Sequence, residues 1–195
     1  MLSPIMPKTY INPRCGRIEL IIGCMYASKT SKLLSYYYKY KALGKNLLTI
    51  NYIDDTRYGK GIISTHNQES IEALCLRELL PLFDNEDYKK SDVIFINEGQ
   101  FFDDLYNFCV KAADVDKKTI FVCGLDGDFE RKSFKNITDL IPMAENVHKL
   151  SSCCIYCKDG TPGNFTKRLT CDKQRICIGG TESYAPVCRH HFLIH

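Results

Sequence analysis

No run of apolar residues in this chain of 195 approaches the roughly 18–20 that a membrane-crossing helix needs. The opening residues, MLSPIMPKTY, lack the continuous apolar stretch of a secretory signal, so the expectation is a soluble protein with no membrane partner. There is no concentrated basic stripe either. The net charge is +3 with both signs mixed along the chain, which argues against a nucleic-acid partner. Internal repeats and low-complexity linkers are missing, which excludes a solenoid or a string of tethered modules. Nor do the 11 cysteines suit a secreted disulfide framework. Their number is odd, and they lie in strand-like and helix-like segments as well as loops, so the thiols are expected to be reduced and the protein cytoplasmic. A chain of this length buries roughly 70% of its unfolded surface, enough for one domain plus a small appendage without covalent staples.

What is present begins with RIELIIGCMYASKTSKLL, from Arg17 to Leu34: a β-branched strand turning through Gly23 into Lys29-Thr30 and a helix. A strand–turn–helix of this kind aims backbone N–H groups and the positive end of the helix dipole at one point, where a polyphosphate sits. Lys29 then reaches the β/γ-phosphates and Thr30 ligates Mg²⁺. The candidate ATP and Mg²⁺ seat is therefore Gly23, Cys24, Met25, Tyr26, Ala27, Ser28, Lys29 and Thr30. Ser28 occupies a place where glycine is usual; a positive φ there would cost about 1–2 kcal/mol. A plain surface turn is the weaker reading, because strand and helix signals flank the loop on the correct sides.

Short apolar runs alternate with helical patterns, the mark of an α/β fold: a phosphate-loop nucleotide-binding core around a mainly parallel central sheet. Strands are expected at Ile18–Ile22, Asn46–Ile53, Val93–Ile96 and Thr119–Leu125, with helices starting near Thr30, Gln68 and Phe102. Leu33, Leu34, Tyr37, Tyr38, Lys41 and Ala42 recur at helical spacing, so the Tyr36–Tyr38 cluster reads as packing. From Cys153 the texture changes to cysteines, glycines and short polar segments. We expect residues 1–150 to form the core, with 1–16 as an extension, and 151–195 to form a small zinc-binding unit docked upon it.

Val93–Ile96 is continuously apolar and ends in Asn97-Glu98. A strand buried on both faces of a parallel sheet opens at the ligand crevice, which puts Glu98 beside the phosphates as a candidate general base. Many phosphate-loop enzymes carry an aspartate where Asn97 stands, holding Mg²⁺ through water. In the tail, Cys154-x2-Cys157 and Cys188-x2-His191 are separated by the 30 residues Lys158 to Val187 and have the spacing of a closed structural zinc site. Cys153 and His190 are adjacent alternatives, and Cys171 or Cys177 could substitute.

Together these motifs resemble type II thymidine kinases, the cellular and poxvirus-type family. The likeness runs from about Arg17 to His191 and includes DDTRYG from Asp54, THNQESIEAL from Thr65, INEGQFFDDL from Ile96, GLDGDFERKSF from Gly124, FTKRL from Phe165 and IGGTESY from Ile178. It implies transfer of the γ-phosphate of ATP to the 5′-hydroxyl of deoxythymidine, with Mg²⁺ and a structural Zn²⁺ as cofactors and a homotetrameric assembly. By resemblance, Glu98 is the catalytic base. Asp55, Thr56, Arg57, Asn97, Gly99 and Gln100 join the nucleotide and metal region. Met25, Phe101, Phe129 and Phe134 enclose the nucleoside, under a lasso formed by Arg175, Ile176, Cys177, Ile178, Gly179 and Tyr184. Three positions depart from the family pattern: Ser28, Asn97 and His191. The first two motivate an alternative expectation, a catalytically weakened nucleotide-binding relative with a regulatory role. A zinc-ribbon nucleic-acid module is the least supported reading.

Overall fold

The computed structural model describes residues 15–55, 59, 61–65, 69–170 and 182–194. In chain order the core comprises β1 (Arg17–Gly23), α1 (Lys29–Ala42), β2 (Leu47–Tyr52), β3 (Ile62–Ser64), β4 (Ser70–Glu72), β5 (Leu74–Leu76), α2 (Glu86–Lys90), β6 (Val93–Ile96), α3 (Leu105–Val110), β7 (Thr119–Gly124), α4 (Lys135–Thr138) and β8 (Asn146–Leu150). Then follow β9 (Ser152–Cys153), β10 (Pro162–Gly163), β11 (Phe165–Arg168), β12 (Tyr184–Val187) and α5 (Arg189–Leu193).

The central sheet has the order β5-β2-β6-β7-β1-β8, and each of its pairings is parallel. Covering both faces explains why the strands read as apolar runs rather than as alternation. On β1, Ile18, Leu20 and Ile22 enter one core with Phe102, Leu105, Phe108 and Leu140, while Ile21 enters the other beneath α1. There Phe95 of β6 and Phe121 of β7 are register partners, with rings stacked at 5.0 Å and 8°. Tyr36 stacks on Phe121 at 4.6 Å, and Tyr37 and Tyr40 meet this pair edge-on. The tyrosine cluster is thus packing, although the helix turns Tyr38 outward (42% exposed) and Tyr40 completes the stripe. Truncating the fully buried Phe95 or Phe121 ring to alanine costs about 3–5 kcal/mol.

The helix expected near Gln68 is a correction. Gln68 lies outside the described residues, but from Ser70 the chain runs as β4, antiparallel to β3, and then as β5 on the edge of the main sheet. Glu, Ala and Leu in ESIEAL favour a helix locally. What prevails is tertiary: Ile63 and Ile71 pair across the hairpin and pack on Leu34 of α1, and Leu74–Leu76 completes the edge of β2. The helix expected near Phe102 begins at Leu105, after a 3-10 turn over Gly99–Phe101.

Both the loop after β1 and the end of β6 lie at the C-terminal edge of the sheet, with β7 between their strands. Strands β10 and β11 reach that loop. The Met25 N–H donates to Thr166 Oγ1 at 3.0 Å, and the Cys24 thiol donates to the Gly163 carbonyl at 3.0 Å.

Candidate active site

The loop starts where only glycine fits. Gly23 has φ 147°, and a Cβ there would stand 2.2 Å from the Leu150 carbonyl oxygen. Cys24 is buried, and that burial pushes its thiol pKa up, so it is held as a neutral donor. Lys29 curls back, Nζ donating to the Cys24 carbonyl at 2.7 Å. The N-terminus of the 14-residue α1 carries no acidic residue in its first turn, so nothing on that turn opposes the positive end of its dipole.

Residues 25–31 form one wall of an open cleft. Asp55, Ser64 and Thr65 stand on another side, Asn97 and Glu98 on a third, and Cys123–Leu125 from the end of β7 lie between them. Three cleft residues hold left-handed backbone without being glycine: Tyr26 (φ 61°), Ser28 (φ 57°) and Glu98 (φ 54°). Conformations that cost energy persist where their surroundings over-determine them, and they cluster at functional sites.

Glu98 leaves β6 through that strained turn. Its Oε2 accepts from Gln100 Nε2 at 2.6 Å, and Gln100 Oε1 accepts the Leu125 N–H at 3.0 Å. Gln100 is thereby a strut between the ends of β6 and β7, only 3% exposed and packed behind the carboxylate. Gly99 lies behind it too, against Val122 and Ile137, where a Cβ would meet Val122 Cγ1 at 2.7 Å.

Asp55 is 7% exposed and takes an N–H of Asn51 at 3.4 Å. Asn97 donates Nδ2 to Asn51 Oδ1 at 3.0 Å, which leaves its own buried Oδ1 without a partner among the described residues. Asn97, Asp55 and Thr30 all line this cleft, and their side-chain oxygens make an all-oxygen donor set, which fits Mg²⁺. Thr56 and Arg57 lie outside the described residues.

Of the residues assigned to the nucleoside, Phe134 is buried, Phe101 faces Tyr52 at 5.2 Å, and Met25 lines the cleft. Phe129 and Tyr184 are joined by a residue that sequence reasoning did not single out. The Arg168 guanidinium sits 3.8 Å over the Phe129 ring and donates Nη2 to Tyr184 Oη at 2.6 Å. The alternation of FTKRL as a strand could have flagged it, since Thr166 and Arg168 share a face. Ser64, Thr65 and Cys123–Leu125 were likewise unforeseen in the cleft wall. Arg175 through Gly179 lie outside the described residues.

In the tail, Cys154, Cys157, Cys188 and His191 converge, their ligand atoms all within 4.8 Å of one another. His191 Nδ1 lies 3.5, 3.4 and 3.3 Å from the three sulfurs, and Cys157 Sγ lies 3.8 Å from Cys188 Sγ. Zinc–sulfur bonds of about 2.3 Å in a tetrahedron imply sulfur–sulfur edges of about 3.8 Å, so these residues fit Zn²⁺. Cys153 is exposed on β9 and takes no part, and His190 stands beside His191 outside the cluster. Cys171 and Cys177 lie outside the described residues.

A parallel sheet whose first strand runs through a lysine-bearing phosphate loop, with a carboxylate ending a neighbouring strand on the same cleft, defines the class: an α/β nucleotide-binding protein of the phosphate-loop type. Comparison with known proteins narrows it. A family model described as thymidine kinase matches residues 16–192. A thymidine kinase of Oryza sativa subsp. japonica is 42% identical over 182 residues, 91% of this chain and 66% of the rice protein. Thymidine kinases of Rabbit fibroma virus (43% over 177 residues; 89% and 94% of the two chains) and Variola virus (39% over 178; 91% and 97%) are similar along nearly their whole length. The chain belongs to the thymidine kinase family.

Proposed function

We infer that the protein transfers the γ-phosphoryl group of ATP to the 5′-hydroxyl of deoxythymidine, releasing ADP and dTMP. Family membership supports the substrate pair. The observation that carries the chemistry is that the Lys29 loop and Glu98 line one cleft. Phosphoryl transfer asks a protein mainly for positioning and charge stabilisation, which this short inventory supplies. Loop N–H groups and the α1 dipole receive the triphosphate. Lys29 exchanges the Cys24 carbonyl for phosphate oxygens and follows the charge that develops there. Glu98, steadied by Gln100, accepts the 5′-hydroxyl proton as that oxygen bonds to the γ-phosphorus and the bond to the β-phosphate oxygen breaks. Thr30, Asp55 and Asn97 would hold Mg²⁺, which when bound neutralises phosphate charge.

Met25, Phe101, Phe129 and Phe134 enclose base and sugar, with Arg168 and Tyr184 bracing Phe129. Residues 175–179 close over thymine and read it through backbone groups, where a mismatch that strands a buried donor or acceptor costs about 1–3 kcal/mol. Residues 1–150 act as the catalytic unit. Residues 151–195 act as the lid unit, in which Cys154, Cys157, Cys188 and His191 fill every position around Zn²⁺ and leave it a structural role. The active species is a cytoplasmic homotetramer with no nucleic-acid or membrane partner. No observation favours a weakened regulatory relative.

The test is a coupled assay with ATP, Mg²⁺ and each of the four deoxynucleosides. Deoxythymidine should be turned over. Glu98→Gln should lower kcat by about 10²–10⁴-fold with the KM for ATP little changed. Turnover of the unaltered protein no higher than that of Glu98→Gln would overturn the reading.

A further inference from the structure

Asn51, the penultimate residue of β2, and Asn97, the first residue after β6, lie at the same end of adjacent parallel strands. Ile50 pairs with Ile96 in register, and the residue after each turns its amide toward the other. Both are almost wholly buried, at 2% and 4% exposure. Which way each amide faces follows from chemistry. The Ile62 carbonyl can only accept, and it lies 3.1 Å from one end of the Asn51 amide, so that end is Nδ2; the same Nδ2 also reaches the Asp55 carboxylate. Asn51 must therefore present Oδ1 to Asn97, and Asn97 must answer with Nδ2. Its Oδ1, the partnerless acceptor described above, is left on the side away from Asn51.

We propose that Asn51 is a positioning residue that locks the Asn97 amide with its carbonyl oxygen toward the metal-bearing side of the cleft, so that asparagine at 97 is tuned to asparagine at 51 and is not a simple loss of an aspartate. The inference rests on the proposed nucleotide and Mg²⁺ site. It reverses a natural engineering expectation. Asn97→Asp adds charge but no donor, so its carboxylate meets Asn51 Oδ1. Rotating the Asn51 amide to relieve this turns Oδ1 onto the Ile62 carbonyl and the Asp55 carboxylate instead. Aspartate at 97 is therefore penalised until residue 51 can donate to it without that constraint. Serine at 51 can, because its hydroxyl rotates freely.

Binding of Mn²⁺ in the presence of ADP, followed by the loss of the free Mn²⁺ resonance, reads this without any acceptor or turnover. Asn97→Asp should bind Mn²⁺ with ADP no more tightly than the unaltered protein. Asn51→Ser with Asn97→Asp should bind it about tenfold more tightly than Asn97→Asp alone. Asn51→Ser alone, which keeps a small polar group and serves if the aspartate variant does not fold, should weaken Mn²⁺ binding several-fold and raise the Mg²⁺ needed for half-maximal turnover, with the deoxythymidine KM unchanged. Tighter binding by Asn97→Asp alone, or an unchanged affinity in Asn51→Ser, would overturn the proposal. A protein that binds Mn²⁺ with ADP yet leaves deoxythymidine untouched would instead count against the acceptor.

Discussion

Replacing Ser28 with glycine should stabilise the protein. Ser28 is the residue preceding α1, at φ 57° and ψ 28°, and its side chain makes no capping hydrogen bond; the helix is joined to it through its own carbonyl, which accepts the Lys32 N–H at 3.0 Å. Left-handed backbone costs an L-residue about 1–2 kcal/mol, and glycine is relieved of that cost. Glycine's greater freedom in the unfolded chain returns roughly 0.5–1 kcal/mol. No cap is lost, and Ser28 is exposed, so no packing is lost either. The net gain is about 0.5–1 kcal/mol, a rise in Tm of about 1–4 °C for a protein of this size. Nucleotide affinity is a separate quantity. Strain present in both free and bound states cancels, so ADP should bind more tightly only if the serine Cβ crowds the phosphates. Guanidinium unfolding without nucleotide, with Ser28→Ala alongside, isolates the backbone effect, because alanine keeps the strain and removes only the hydroxyl. A lower midpoint for Ser28→Gly, or an equal rise for Ser28→Ala, would show that the left-handed backbone is not the source of the cost.

Three more outcomes are expected. Metal analysis should find one zinc per chain, lost in His191→Ala and retained in Cys153→Ser; zinc at full complement in His191→Ala would contradict the cluster geometry. Arg168→Leu should raise the deoxythymidine KM by about tenfold, the weight of one stacked, hydrogen-bonded cation, and leave the KM for ATP near its starting value. Because burial raises the Cys24 pKa, little thiolate forms at pH 8, so iodoacetamide should label exposed Cys15 and Cys153 first. The Cys24 rate should climb only as the pH passes well above the ordinary thiol range. Peptide mapping that finds Cys24 modified as fast as Cys153 would show that the loop opens freely.

The features legible in the sequence were those written in consecutive residues. A strand, a glycine, a lysine-threonine pair and a helix announce a phosphate loop because each acts on its immediate neighbours, and the closely spaced pairs of metal ligands announce themselves in the same way. The hairpin around Ser70 was hidden because ESIEAL prefers a helix in isolation; only pairing with Ile63 and the edge of β2 makes it a strand. The Asn51–Asn97 contact joins residues 46 apart, and nothing local to either marks it before the register of β2 and β6 is known. Arg168 was obscured for a similar reason: its partners lie on two other segments.

The strand β11 alternates in what it serves. Phe165 and Lys167 face the metal-binding helix, one against the Phe192 ring and the other donating to the His191 carbonyl at 2.9 Å. Thr166 and Arg168 face the phosphate loop and Phe129. Four consecutive side chains thus work as a splint, held at one side by α5 of the Cys/His cluster and bearing on the loop after β1 and on Phe129 with the other. Chelation should slacken the grip on both substrates together, well before the six-stranded sheet begins to melt.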